Sequence, residues 1–278
     1  MGKINRAAGL FLALLMILLT LQGLAQEQPG VLNIRIFKVG KADAFLLRTA
    51  NHAVLIDAGE EDDAQEIMEY LVEKGIDALD LLILTHFDKR NIGGAPELLQ
   101  SFGVNKVMLP GYQRDGALMN LLLLVLDNQT AQTVTEQTSF EFDGVSFTLY
   151  PALQLQYLED QDNDFSLVVS VTHGENSFLF SGDIMSERIE EMIENSLLAP
   201  HTVIKMPCHG QNIEGLDKLL DAVSPEIAII PASLKNPPAG AMLLNLEHRG
   251  IRWYSPMYGS ITLTSDGYQV TVKQNIRQ

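Results

Sequence analysis

The chain has 278 residues, long enough for one sizeable domain with an ample core. It carries 35 acidic against 19 Lys and Arg residues, a net charge of −16, which repels polyanions and argues against a stable nucleic-acid interface built on phosphate neutralisation. Cys208 is the only cysteine, so no internal disulfide is available and stability must come from the core.

The N-terminus reads as a leader. Lys3 and Arg6 precede an apolar run from Leu10 to Leu21, and "QGLA" follows with small residues at Gly23 and Ala25. This layout predicts a secretory signal peptide over residues 1–25, cleaved near Ala25–Gln26, and an extracytoplasmic protein. Uncleaved, the leader would be a membrane anchor, and it is the only membrane contact the sequence suggests. Without it the balance is 17 basic to 35 acidic residues, or −18.

Three short strands are expected over 31–57, "VLNIRIFKV", "DAFLLRTA" and "HAVLIDAG", the last ending on Asp57. A helix fits "DDAQEIMEYLVEKG", with acids in its first turn and Gly75 as its stop. "LDLLILTH" reads as a buried strand, "APELLQSFG" as a short helix and "NKVMLP" as a strand. "DGALMNLLLLVLDN" reads as a mostly buried helix. The middle turns β-rich through "QTVTEQ", "SFEFDG" and "SFTLYPA". After "LEDQDND" come strands "FSLVVSVTH" and "SFLFSGD". Helices and strands then alternate through "SERIEEMIENS", "HTVIKMP", "IEGLDKLLDAV", "EIAIIPA" and "AGAMLLNLEHRG". A hairpin, "SITLTSDGYQVTV", closes the chain. Two β-rich regions, each with helices returning over one face, predict an α/β four-layer αββα sandwich in one domain over residues 31–274.

Strand ends concentrate the chemistry-bearing residues, and "THFDKRNIGG" from Thr85 to Gly94 is the clearest case. His-x-Asp after a buried strand, followed by Gly-Gly, suits a loop that holds a metal ion. Taken in order, "VGKADA", "LIDAG", "THFDKRNIGG", "SLVVSV", "FLFSGD", "MPCHG" and "SDG" resemble the metallo-β-lactamase fold, and within it the ComEC-like, competence-associated metallohydrolases. The resemblance runs from residue 31 to about 274. It implies a dinuclear site in which metal ions lower the pKa of a water and stabilise charge on the attacked group.

On that pattern His86 and Asp88 take the first two ligand positions, and Asp183 takes that of a bridging carboxylate. His209 matches one histidine of a His-His turn, while Cys208 stands in place of the other; a thiolate is itself a competent zinc ligand. Arg90 stands where the family has Asp, and Asn91 where it has His. A guanidinium cannot ligate, and beside a cation it repels it. "KNPPAGAM" also lacks a histidine that the family usually carries there. The resemblance therefore implies one zinc or manganese ion at most, held by His86, Asp88, Asp183 and one of Cys208 or His209. The other reading is a metal-free centre in which Arg90 pairs with Asp183 or Asp88. Asp183 or Asp57 would assist proton transfer in an active enzyme; Asp43 and Asp57 otherwise support loops. Asn163 and Ser166 resemble a family turn facing the cleft. Two functions follow: an exported hydrolase of a phosphoester-type substrate, or a scaffold of weak or no activity that binds an extracellular small molecule or partner.

Overall fold

The computed structural model describes residues 30–126, 131–158 and 161–276; the expected leader lies outside them. The first sheet has eight strands, in the spatial order Val270–Gln274, Ile261–Ser265, Leu32–Ile36, Phe45–Arg48, Ala53–Ile56, Leu81–Ile83, Val107–Pro110 and Ala131–Val134. The second has seven: Arg252–Tyr254, Ile227–Ile229, Val203–Lys205, Asn176–Phe180, Val168–His173, Val145–Tyr150 and Thr138–Phe142. Each sheet is antiparallel on one side and parallel on the other.

Alternation explains the layering. In Leu32–Ile36 the buried residues Leu32, Ile34 and Ile36 share one face, because successive strand residues point to opposite sides. They meet Phe147, Val169 and Phe178 of the second sheet in the central core. The parallel strands are buried on both faces, so they read as continuous apolar runs. Their outer faces pack under helices. Ala64–Glu73 and Ala95–Ser101 cover the first sheet, and Ser186–Glu194, Leu216–Val223 and Gly240–His248 cover the second. This is the αββα sandwich of the metallo-β-lactamase fold.

The expectation that residues 118–126 are core is corrected. Helix Ala117–Val125 buries only Met119 and Leu122, leaving Leu121, Leu123 and Leu124 exposed. A helix lying on a sheet turns only one stripe inward, so a run of leucines on every side cannot all be covered. His173 and His201 are both buried. His173 Nδ1 lies 2.8 Å from Ser265 Oγ, and His201 Nε2 lies 2.8 Å from Ser170 Oγ.

Among the described residues, no helix is long and apolar enough to cross a membrane.

Candidate metal centre

The loops that leave the carboxyl ends of the parallel strands converge between the two sheets, the usual place for a site in such architectures. From the first sheet come Asp57, after Ala53–Ile56, and Thr85 to Asn91, after Leu81–Ile83. From the second come Asp183, after Asn176–Phe180, and Cys208 and His209, after Val203–Lys205. Asp43 arrives from the turn before Phe45–Arg48.

Backbone hydrogen bonds stitch these loops together. Asp43 N donates to Arg90 O (3.1 Å), Ala58 N to Asn91 O (2.7 Å), Gly59 N to Asp43 O (2.9 Å) and Leu167 N to Thr85 O (2.8 Å). The Gly93–Gly94 pair is required by close approach. A Cβ on Gly94 would lie 2.4 Å from Ala58 O, and one on Gly93 2.8 Å from Glu60 Cα.

Lys205 occupies the middle of the centre. Its Nζ lies 2.6 Å from Asp43 Oδ2 and 2.8 Å from Asp183 Oδ1, and donates to Gly182 O at 2.7 Å. The side chain is 2% exposed, so this is a fully desolvated cation between two carboxylates. Burial pushes an ammonium toward neutrality, yet Asp183 and Asp43 outweigh it and raise the Lys205 pKa above its ordinary value. Burial likewise opposes the Asp183 anion, but Lys205 and then His209 hold its acid well below the usual carboxylate range.

Of the two partners expected for Arg90, it takes Asp88 at the rim of the centre, while the cation that faces Asp183 is Lys205. Arg90 is about a quarter exposed; its Nε donates to Asp88 Oδ1 at 2.7 Å and its backbone N to the same oxygen at 2.9 Å. Asp88 is the N-cap of the short helix Lys89–Ile92, which fixes its carboxylate on its own loop. Burial raises the acid of Asp88, but the Arg90 hydrogen bonds bring it down to about 2.

Asn91 is buried. Its Nδ2 donates to Asp57 Oδ2 at 2.8 Å. Asp57 also accepts from Thr85 N (2.8 Å) and Thr85 Oγ1 (2.7 Å). Burial, then the Asp43 charge, push its acid up to about 8 against these three hydrogen bonds. Asp57 thus pins the His86 loop.

That pinning also orients His86, because Thr85 Oγ1 lies 2.7 Å from Asp57 Oδ2 and 3.1 Å from His86 Nδ1. His86 Nε2 is buried, without a hydrogen-bond partner and 3.9 Å from Asp183 Oδ2. Burial lowers the His86 pKa. A buried ring nitrogen facing a carboxylate oxygen at this distance leaves room for a shared cation.

His209 Nε2 lies 2.9 Å from Asp183 Oδ2, off the line a hydrogen bond needs, and its Nδ1 lies 3.9 Å from Asp43 Oδ1. Asp43, Asp183 and His209 offer ligand atoms all within 4.8 Å of one another. The donor set therefore fits one divalent ion. Asp43, read from sequence as a loop support, belongs to this set, whereas Asp88 and Cys208 are not gathered into it. The segment 207–210 is also not extended. Cys208 (φ 49°), His209 (φ 54°) and Gly210 (φ 74°) form a left-handed turn, which costs about 1 kcal/mol or more at each non-glycine residue. The turn aims the Cys208 thiol at Asp183 O (3.2 Å) and the thioether of Met185 (3.0 Å), and its backbone N donates to Asp183 Oδ1 at 3.0 Å. Ser166 Oγ accepts from Asp183 N at 3.1 Å, and Asn163 O accepts from Ser166 N, so the Asn163–Ser166 turn holds the Asp183 backbone.

Lys205 and the role of Asp43 escaped sequence reasoning. The available signal was a lysine inside "TVIKMP", an otherwise apolar strand whose neighbours pair on both sides.

The family model for the metallo-beta-lactamase superfamily matches residues 38–118. The chain is 28% identical over 204 residues to Recombination protein 2 of Haemophilus influenzae, covering 72% of this chain and 24% of that protein. It is 26% identical over 228 residues to Competence protein ComA of Neisseria gonorrhoeae, covering 79% and 30%. It thus spans a quarter to a third of the length of the curated relatives it matches. Among solved structures it is similar to Igni18, a metallo hydrolase from Ignicoccus hospitalis, with a TM-score of 0.54, 17% identity, and coverage of 84% of this chain and 98% of that one. The chain thus carries a metallo-β-lactamase domain in an αββα sandwich, and its similarity to competence proteins fits the ComEC-like branch.

Proposed function

We propose that this is an extracytoplasmic metallo-β-lactamase-fold protein whose centre takes one divalent ion at most and has weak or no phosphoester hydrolase activity. The observation that carries the reading is Lys205 Nζ within 2.8 Å of both Asp43 and Asp183. That internal cation supplies the charge a second metal would bring, and a metal placed about 4 Å from it would meet repulsion of roughly 4 kcal/mol per unit charge at an effective dielectric of 20. Arg90 adds positive charge at the rim and withdraws Asp88 from ligation.

A single ion would be held by His86, Asp183 and His209, with Asp43 as a further oxygen donor. Bound zinc or manganese would supply Lewis acidity and an activated water. The chain's own residues position this chemistry: Thr85 and Asp57 orient His86, and Ser166 holds Asp183.

The buried, unpartnered Nε2 of His86 favours a second reading, an active mononuclear hydrolase. Elemental analysis of mildly purified protein, with a turnover assay on bis(p-nitrophenyl) phosphate, separates the two. One equivalent of metal with turnover lost in Asp183→Ala establishes the enzyme. Protein that takes up one equivalent or less and turns over no substrate establishes the diverged centre. Two equivalents would refute both.

A further inference from the structure

A cleft of about 430 Å³ opens beside the centre, between the Gly111–Gln113 segment and the loop Pro151–Leu155. One wall is the ring of Tyr112 stacked on Phe165, with centroids 4.9 Å apart and planes at 13°. Tyr112 Oη accepts from Phe87 N at 2.7 Å, next to His86, and Phe165 precedes Ser166, which holds Asp183. The aromatic wall therefore shares its loops with the metal centre. The opposite wall presents Leu153 and Leu155, 52% and 98% exposed, so neither serves the core.

That leucine-bearing loop is fixed by buried charge. Arg188 Nη2 donates to Tyr150 O (3.0 Å) and Pro151 O (2.6 Å). Glu191, ion-paired with Arg188, accepts from Leu153 N (3.2 Å), Gln154 N (3.1 Å) and Tyr157 Oη (2.9 Å). Burying an ion pair is costly and adds little net stability, whereas holding a loop in one geometry removes the ordering cost of binding. Among the described residues lining the cleft, Asp162 alone has an acidic or basic side chain, and it lies 3.3 Å from Arg114. The size of the cleft suits a small molecule.

We propose that this cleft is a specificity subsite for the apolar, ring-bearing part of a small-molecule substrate or ligand whose polar group reaches the metal centre. Tyr112, Phe165, Leu153 and Leu155 contact that part, and Arg188 and Glu191 are positioning residues. As a statement about substrate it rests on the metal-centre reading proposed above.

The test uses neutral probes that need no metal. 4-Alkylphenols from 4-methylphenol to 4-butylphenol are titrated into the full chain by calorimetry, in EDTA. Affinity should rise about two- to fourfold per methylene, as expected for burial of each CH₂. The double variant Leu153→Ser, Leu155→Ser alters exposed side chains, so it should fold and melt as the wild type does. It should bind 4-butylphenol at least fivefold more weakly, with unchanged metal uptake. Glu191→Gln should flatten the chain-length dependence, again with unchanged metal uptake, which a purely structural role would not produce. Affinity independent of chain length, or equal binding by wild type and double variant, overturns the proposal. Metal uptake by the same proteins, measured separately without EDTA, distinguishes that failure from failure of the centre's assignment.

Discussion

Replacing Lys205 by methionine keeps the bulk of the side chain and removes its charge. In the wild type Nζ contacts Asp43 Oδ2, Asp183 Oδ1 and Gly182 O within 2.8 Å, all out of solvent. Deletion leaves two buried carboxylates without their cation, and breaking a buried pair in this way costs about 3–5 kcal/mol. For a domain of this size that corresponds to a fall in Tm of roughly 6–20 °C, at about 2–4 °C per kcal/mol. Urea unfolding followed by circular dichroism in EDTA measures it. In excess Mn²⁺ the variant should recover about 2.7 kcal/mol at a hundred times Kd, because freed carboxylates bind the ion that the ammonium had displaced. The wild type should gain less.

The pH dependence of the wild-type pair follows from the two shifts. Lys205 is raised in the folded state, so its contribution is complete below the ordinary 10.5 and disappears only as pH climbs through the higher folded value. Asp183 is depressed, so its contribution is complete above the ordinary 3.8 and disappears as pH falls through the lower folded value. In the wild type these two groups should therefore add no slope to stability between about pH 5 and 9. In Lys205→Met the uncompensated carboxylates should take up protons as pH falls, so the gap should narrow toward acid pH. A destabilisation under about 1 kcal/mol in EDTA, against the 3–5 expected for a broken buried pair, would refute the role given to Lys205. So would an equal Mn²⁺ response in both proteins.

Asp57, whose acid is raised to about 8, binds its proton more tightly folded than unfolded. Its contribution is present below the ordinary 3.8 and is lost as pH rises through 8, and Asp57→Asn should remove that slope from a stability-versus-pH curve. Arg90→Asp with Asn91→His should not add a second metal by elemental analysis, because Lys205 stays in place; adding Lys205→Met should permit it. Gly94→Ala drives a Cβ to 2.4 Å from Ala58 O and should cost about 3 kcal/mol in urea unfolding, with loss of metal uptake as the His86 loop moves. Cys208→Ser should leave metal stoichiometry unchanged, since the thiol faces Asp183 O and Met185.

Much of the fold was legible because periodicity reports burial. The alternation of "LNIRI" marked a strand with one face inward, and the apolar parallel strands stood out as runs. The leucine run at 118–126 defeated the same logic, since an apolar sequence states what a side chain prefers and not whether anything is there to cover it. The site was legible in part. His86, Asp183 and His209 reach the centre because their motifs end strands that the sandwich brings to one edge. Asp88 and Arg90 were read as members of a shared centre, but two residues apart on one helix turn they satisfy each other locally.

What the sequence by itself determined is the order of strand-end motifs, and with it the architecture and the loops that meet. It also singled out Arg90, Asn91 and Cys208 as departures that the resemblance implies, because these sit inside motifs whose positions can be counted along the chain. Only the tertiary structure decided which positive charge lies between the carboxylates. Asp43 and Asp183 come from different sheets, and Lys205 ends a third stretch of chain. Their pairing depends on sub-ångström placement in a dry interior, where a charge is held only by partners within contact distance. No spacing along a one-dimensional sequence encodes that distance.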